Sequence, residues 1–211
     1  MAKAVMSTVT IRPFNPQRIP APPLAQAGWP ALTDCHEVDL EIGAGAGLHA
    51  IHYAKANPNR LLIAIERTSK AERLQRRAKN HPKLSNLLAY RSDAIHWVTH
   101  FVPELSLSRI FLLYPNPYPK ARQQNLRWHA MPFMGFLLSR LKAQGELILA
   151  TNEAFYAQEA KNTFCGHWGL QLKSEEILSA DSIPRTHFEK KYLARGELCR
   201  NLIFLKSGVS I

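Results

Sequence analysis

The sequence predicts an α/β fold: one doubly wound, mostly parallel, seven-stranded sheet in a single domain, with helices on both sides. Three observations carry this expectation. From Glu37 onward, short apolar runs alternate with longer helical stretches. One run, Leu61–Ile65, is apolar at every position, as in a strand covered on both faces. The first run ends in a turn, Gly43-Ala44-Gly45-Ala46-Gly47, that opens a helical stretch.

The elements follow in order. Residues 1–34 hold six of the fourteen prolines, which remove backbone donors and resist helix and central strand. They read as an extended, partly mobile arm, with residues 35–211 as the folded domain. Val38–Ile42 is the first strand, and Leu48–Ala56 is a helix stopped by Asn57-Pro58. Leu61–Ile65 is a strand, followed by a basic helix over Ser69–Asn80 that stops at His81-Pro82. Leu87–Tyr90 is a strand, Ala94–Phe101 a short helix, and Arg109–Leu113 a strand entering the loop Tyr114–Tyr118. Leu126–Ala143 reads as one helix ended by Gly145. Glu146–Ala150 is a strand and Glu153–Cys165 a helix, with late strands at Leu170–Lys173 and Leu202–Leu205. In such sheets ligands bind outside the carboxyl ends of the strands, and every motif discussed next stands at such an end.

Composition excludes several classes. With 46% hydrophobic and 20% charged residues, the chain is neither disordered nor collagenous. No apolar run is long enough to span a bilayer, and the first residues lack a secretory signal, so a cytoplasmic protein is expected. Cys35, Cys165 and Cys199 are scattered, which suits buried reduced thiols better than metal ligation. The pairs His49/His52 and His96/His100 lie on predicted helices with no ligand-type acid beside them, so core or surface histidines are expected and no metal. The formal charge of +11 points instead to a polyanion. From Arg67 to Arg91 there are eight basic residues and one acid, and from Tyr118 to Lys142 five and none. Arg73, Arg76 and Arg77 on the basic helix, with Arg122 and Arg127 beyond the loop, are candidate phosphate contacts; a solvated helix face is the competing reading.

The glycine turn carries the chemistry. Glycine permits the tight bend and lets a ligand approach the backbone. Gly43 and Gly45 fit a dinucleotide fingerprint, but Leu48 stands where that pattern needs its last glycine. Glu41 stands just before the turn and would repel a pyrophosphate. A ligand with an amino acid and an adenosine but no phosphate suits Glu41, Gly43, Gly45 and Gly47 better: S-adenosylmethionine. Glu66 ends the second strand, about where an acid holds a ribose diol. Asp93 follows the third strand and either binds the adenine amine or caps the next helix.

Together with Glu66, Asp93-Ala94, the loop Tyr114-Pro115-Asn116-Pro117-Tyr118-Pro119-Lys120, Thr151-Asn152 and Thr186-His187-Phe188-Glu189, this turn resembles the bacterial tRNA (guanine-N7)-methyltransferase family. The order holds from about residue 37 to 206. The resemblance implies a Rossmann-like class I methyltransferase fold, S-adenosylmethionine as donor, and tRNA as substrate. It implies that Glu41, Glu66, Asp93 and Asn116 line the donor site, Asn116 being the catalytic candidate. It implies that Lys120, Asn152 and Thr186–Glu189 face the acceptor base. Without it, Thr186–Glu189 reads as an ordinary approach to the last strand.

The departures are specific. The family has aspartates where this chain has Asn116 and Asn152, and Gln123-Gln124-Asn125-Leu126-Arg127 replaces a denser basic run. Guanine N7 attacks through a free lone pair and needs no general base. Positive charge then develops on the base, which a carboxylate stabilises better than an amide dipole. A methyltransferase acting on another RNA or a small molecule, or a non-catalytic RNA-binding relative, therefore stay open beside guanine N7 of tRNA. A monomer or a homodimer is expected.

Overall fold

The structure, a computed structural model, describes residues 11–23, 37–81 and 84–208. The first ten residues, Cys35, the arm boundary at residue 34 and the Pro82-Lys83 step lie outside them. Seven strands form one sheet: β1 (Glu37–Ile42), β2 (Arg60–Glu66), β3 (Leu87–Arg91), β4 (Leu107–Leu113), β5 (Leu141–Thr151), β6 (Gln171–Leu178) and β7 (Cys199–Leu205). Their order is β3-β2-β1-β4-β5-β7-β6. The first five are mutually parallel, and β7 runs antiparallel between β5 and β6. Strand order reverses between β1 and β4, so the crevice that takes a ligand opens at their carboxyl ends.

Alternation along the strands divides the core into two layers. Val38, Leu40 and Ile42 of β1 and Leu61, Ile63 and Ile65 of β2 face one side. There they meet Trp97 and Val98 of α3 (Ala94–Phe101), Phe133 and Leu137 of α4 (Phe133–Arg140), and Tyr156 and Phe164 of α5 (Ala154–Gly166). Leu62 and Ala64 face the other side. They meet Ala50 and Ala54 of α1 (Leu48–Ala56), Leu74 of α2 (Lys70–Lys79) and Leu193 of α6 (His187–Leu193). Both faces are covered, which is why β2 reads as an unbroken apolar run. The architecture is the predicted doubly wound α/β sheet.

Four local expectations are corrected. The helix expected over Leu126–Ala143 is only Phe133–Arg140, preceded by 3-10 turns at Ala121–Leu126 and Trp128–Ala130. Pro132 starts it: its ring disfavours helical geometry in Met131, which has ψ 149°. Gly145 does not end a helix but lies inside β5, where Leu141 pairs with Leu107 and Glu146 with Arg109. The four residues between make an excursion in which a Cβ at Gly145 would lie 2.7 Å from Leu141 side-chain atoms. The late strand expected at Leu170–Lys173 extends to Leu178, and α6 stands where no helix was expected. Cys199 is a buried free thiol, but Cys165 is exposed at the end of α5.

The described part of the arm lies on the domain. Phe14 sits 5.2 Å, centroid to centroid, from both Phe133 and Phe136. Pro16–Arg18 form a 3-10 turn capped by the Asn15 side chain, which accepts from Gln17 N at 3.0 Å. Among the described residues no helix is long and apolar enough to cross a membrane.

Candidate active site and family membership

A cavity of about 280 Å³ opens at the carboxyl ends of β1 and β4. Its floor is the glycine turn with Glu41, and its far wall is Thr186–Phe188 with Lys70 and Arg73. Gly43, Gly45 and Gly47 all have positive φ, at 79°, 57° and 80°. They do different work. A Cβ at Gly43 or Gly45 would meet nothing within 4 Å, so both leave open space over the turn. A Cβ at Gly47 would lie 2.2 Å from Leu74 Cδ1, so this glycine lets α2 close on the turn.

The two acids hold that turn. Glu66 Oε2 accepts from Gly45 N and Oε1 from Thr68 N, each at 2.8 Å. Each oxygen keeps a second lone pair for a hydroxyl. Glu41 is buried, and its Oε2 lies 3.0 Å from Nδ1 of His49. His49 was expected to lack an acidic neighbour. It has one, because the turn folds the first residues of α1 back over the end of β1, eight residues away. Asp93 caps α3: its Oδ1 accepts from Ile95 N at 2.9 Å and His96 N at 3.4 Å, while Oδ2 lies 3.9 Å from Arg67.

The loop after β4 is fastened from three sides. Tyr114 and Tyr118 take left-handed φ values of 55° and 46°, a strained choice for bulky residues. Tyr114 N donates to Ala150 O at 2.7 Å, and its hydroxyl donates to Glu189 Oε2 at 2.7 Å. Burial and the Glu189 and Cys199 neighbours push the Tyr114 phenol far above its usual range. Asn116 is exposed, and its Oδ1 accepts from Tyr118 N at 3.3 Å. Arg127 was expected to meet phosphates. It is instead buried, donating to Pro117 O, Tyr118 O and Glu159. Its guanidinium satisfies loop carbonyls that no strand reaches, so it positions the loop rather than RNA.

α6 explains the Thr186–Glu189 motif. Thr186 is its N-cap and accepts from Glu189 N at 2.9 Å, the Thr-x-x-Glu spacing of a capping box. That signal was present in the sequence. Glu189 was expected to face the base, but it is fully buried. Its oxygens accept from Arg185 N, Nε and Nη2 and from Tyr114. Burial opposes its ionisation, yet the Arg185 bonds hold its carboxyl below the usual range. Thr186, His187 and Phe188 do line the cavity. Burial lowers the His187 pKa, and so do Arg77, Arg73, Lys190 and Lys70 around it. Phe188 is 45% exposed, with Lys70 Nζ 5.7 Å from its ring centre.

Of the remaining candidates, only Arg73 lines this cavity. Arg73 and Arg76 are exposed on α2, as are Lys120 and Arg122 beyond the loop. Arg77 is half-buried and donates to Ala46 O at 3.1 Å, so part of its role is to brace the glycine turn. Asn152 Nδ2 donates to Glu197 Oε2 at 2.8 Å. His49, Lys70, Arg185 and Glu197 are the site residues that sequence reasoning missed.

Residues 36–201 match the family described as "Putative methyltransferase". Over 170 residues the chain is 31% identical to the tRNA (guanine-N(7)-)-methyltransferase of Salmonella typhimurium, covering 79% of this chain and 71% of that protein. Against the protein of the same name from Yersinia pseudotuberculosis the values are again 31%, 79% and 71%. The chain belongs to this methyltransferase family. Solved structures agree in fold. The 16S rRNA methyltransferase KamB superposes with a TM-score of 0.61 at 17% identity, covering 83% of this chain and 90% of its own. The 16S rRNA (adenine(1408)-N(1))-methyltransferase of Catenulisporales acidiphilia, solved with S-adenosylmethionine, gives 0.55 at 12%, covering 82% and 87%.

This methyltransferase uses S-adenosylmethionine, and the site fits that donor. The space over Gly43 and Gly45 is open, the carboxylates beside the turn repel a pyrophosphate, and each Glu66 oxygen keeps a lone pair for a hydroxyl. Among the described residues no cluster of three metal-ligating side chains occurs.

Proposed function

We propose that this methyltransferase acts on N7 of a guanine in tRNA, in the cytoplasm. The observation that carries the reading is a single cavity with donor elements on one wall and acceptor elements on the other: the glycine turn with Glu41 faces Thr186–Phe188. Bound there, S-adenosylmethionine supplies an electrophilic methyl group. The chain's own work is to align the base with that methyl group and to hold the RNA. Alignment of this kind supplies about 7–11 kcal/mol in favourable cases.

Each residue's part follows from its surroundings. Phe188 offers an exposed ring at the cavity wall on which a base stacks. Low pKa keeps the His187 imidazole neutral at neutral pH, so it serves as a hydrogen-bond partner. Lys70 and Arg73 at the rim, with Arg76, Lys120 and Arg122 beyond it, meet phosphates. Asn116 turns an amide rather than a carboxylate toward the loop that faces the base. Asn152 is likewise neutral, but its amide is bonded to Glu197, so a carboxylate still stands at this end of β5. Negative charge near the acceptor thus comes from Glu197.

The test is methyl transfer from isotope-labelled S-adenosylmethionine to unmodified bulk tRNA, with identification of the labelled nucleoside. 7-Methylguanosine is the expected product. A different labelled nucleoside moves the acceptor atom. No label, with donor binding shown separately, removes tRNA as the substrate.

A further inference from the structure

A second cavity, of about 410 Å³, is lined by Arg67, which follows Glu66, and by Arg91 and Ser92 at the end of β3. One wall is the turn after β3, with Asp93 and His96, and the facing wall is Ala21, Pro22 and Pro23 of the arm. Glu66 lines neither cavity but is bonded to one lining residue of each, Gly45 and Ser92. Its carboxylate takes the Gly45 N–H, and its main-chain oxygen takes the Ser92 N–H at 3.2 Å, one residue before Asp93. A ligand that runs from the glycine turn past Glu66 therefore arrives between Asp93 and the arm. Asp93 spends Oδ1 on capping α3 and leaves Oδ2, whose nearest cation is Arg67 at 3.9 Å, as a free acceptor for an amine.

We infer that Ala21–Pro23 form the outer wall of the adenosine half of the donor site. The inference rests on the chain's use of S-adenosylmethionine. Proline suits such a wall. It has no N–H to leave unsatisfied against a flat apolar ring, and its fixed φ means that little entropy is lost on ordering. Pro22 is buried. The wall is anchored on both elements behind it. Ile19 O lies 2.8 Å from Nε2 of His100, at the end of α3, and Phe14 is wedged against Phe133 and Phe136 of α4. His100 is a positioning residue in this scheme: it touches the arm and not the ligand.

The experiment is calorimetric titration of the full chain with S-adenosylhomocysteine and with 5′-methylthioadenosine, which keeps the adenosine and lacks the amino acid. The double substitution Pro22→Gly/Pro23→Gly is expected to weaken both ligands by the same factor, about tenfold. His100→Ala is expected to weaken both by a smaller common factor, and His100→Gln, which keeps a donor for Ile19 O, to restore them. In the unsubstituted chain, trypsin cleavage after the exposed Arg18 is expected to slow severalfold with 5′-methylthioadenosine. Unchanged affinities in both variants, with no protection at Arg18, overturn the inference. So does loss of tRNA affinity with donor affinity intact, which would make the cavity an RNA nucleotide site. Failure of the unsubstituted chain to bind either ligand overturns the donor reading itself.

Discussion

Asn116 stands just past β4 with its amide oxygen turned onto the Tyr118 amide at 3.3 Å. An aspartate makes the same short-range turn, so Asn116→Asp keeps the loop and adds a charge. It is expected to raise guanine N7 methylation by about tenfold in kcat, because positive charge grows on the base during transfer. Single-turnover rates on one tRNA check this; an unchanged rate means the loop charge does not reach the base. His129 poses a different residue-scale problem. It is 2% exposed, and neither ring nitrogen has a hydrogen-bond partner. Burial first, then Arg127, lower its pKa from 6.5 to about 4. Between those values the unfolded chain binds a proton that the native fold excludes, so stability falls as the pH falls. The loss is about 3 kcal/mol by pH 4 and then levels off, since the native state also protonates below that. In His129→Phe, denaturant unfolding between pH 6.5 and 4 should lose this slope.

At the scale of elements, α6 and α2 supply the cavity wall that faces the glycine turn. α6 has only seven residues and is held by its first turn. In Glu189→Gln, Arg185 loses its buried charge partner, and a single amide oxygen is left for the four donors that two carboxylate oxygens serve. Unfolding stability is expected to drop by about 2–3 kcal/mol, and the β4 loop, bonded through Tyr114, to loosen with it. Thr186→Ala removes only the cap and should cost about 1 kcal/mol. Chemical denaturation of both variants separates the two roles; equal losses would mean that the buried pair contributes nothing beyond the cap. The Thr-x-x-Glu spacing could have marked the start of α6, yet no helix was expected there, because the motif reads equally as a loop until Arg185 and Tyr114 are seen to close on it. The longer helix expected over Leu126–Ala143 failed for a local reason that was legible: Pro132 divides it. The fate of Arg127 was not legible. Charge alone puts it on the surface, and only the folded loop shows unpaired carbonyls at Pro117 and Tyr118 that need a donor.

For the whole molecule, a formal charge of +11 sets how it meets a polyanion. tRNA affinity is expected to fall steeply with salt, and Arg73→Ala/Arg76→Ala to reduce the slope of log K against log salt by about 1.5. Filter binding between low and moderate salt measures both; a flat profile in the unsubstituted chain removes the phosphate role. By itself the sequence determined the alternation of strands and helices, the glycine turn, and the acids at strand ends. These are local: hydrophobic period, turn chemistry and caps are written within a few neighbouring residues. It also determined the family, through motifs whose order survives divergence. Only the tertiary structure decided which side chains meet across the chain. His49 came to rest on Glu41, Glu189 went inward to Arg185 and Tyr114, and Asn152 found Glu197. The physical reason is that a charged group's role depends on its burial and its partners, and both are created by packing segments that lie far apart in sequence.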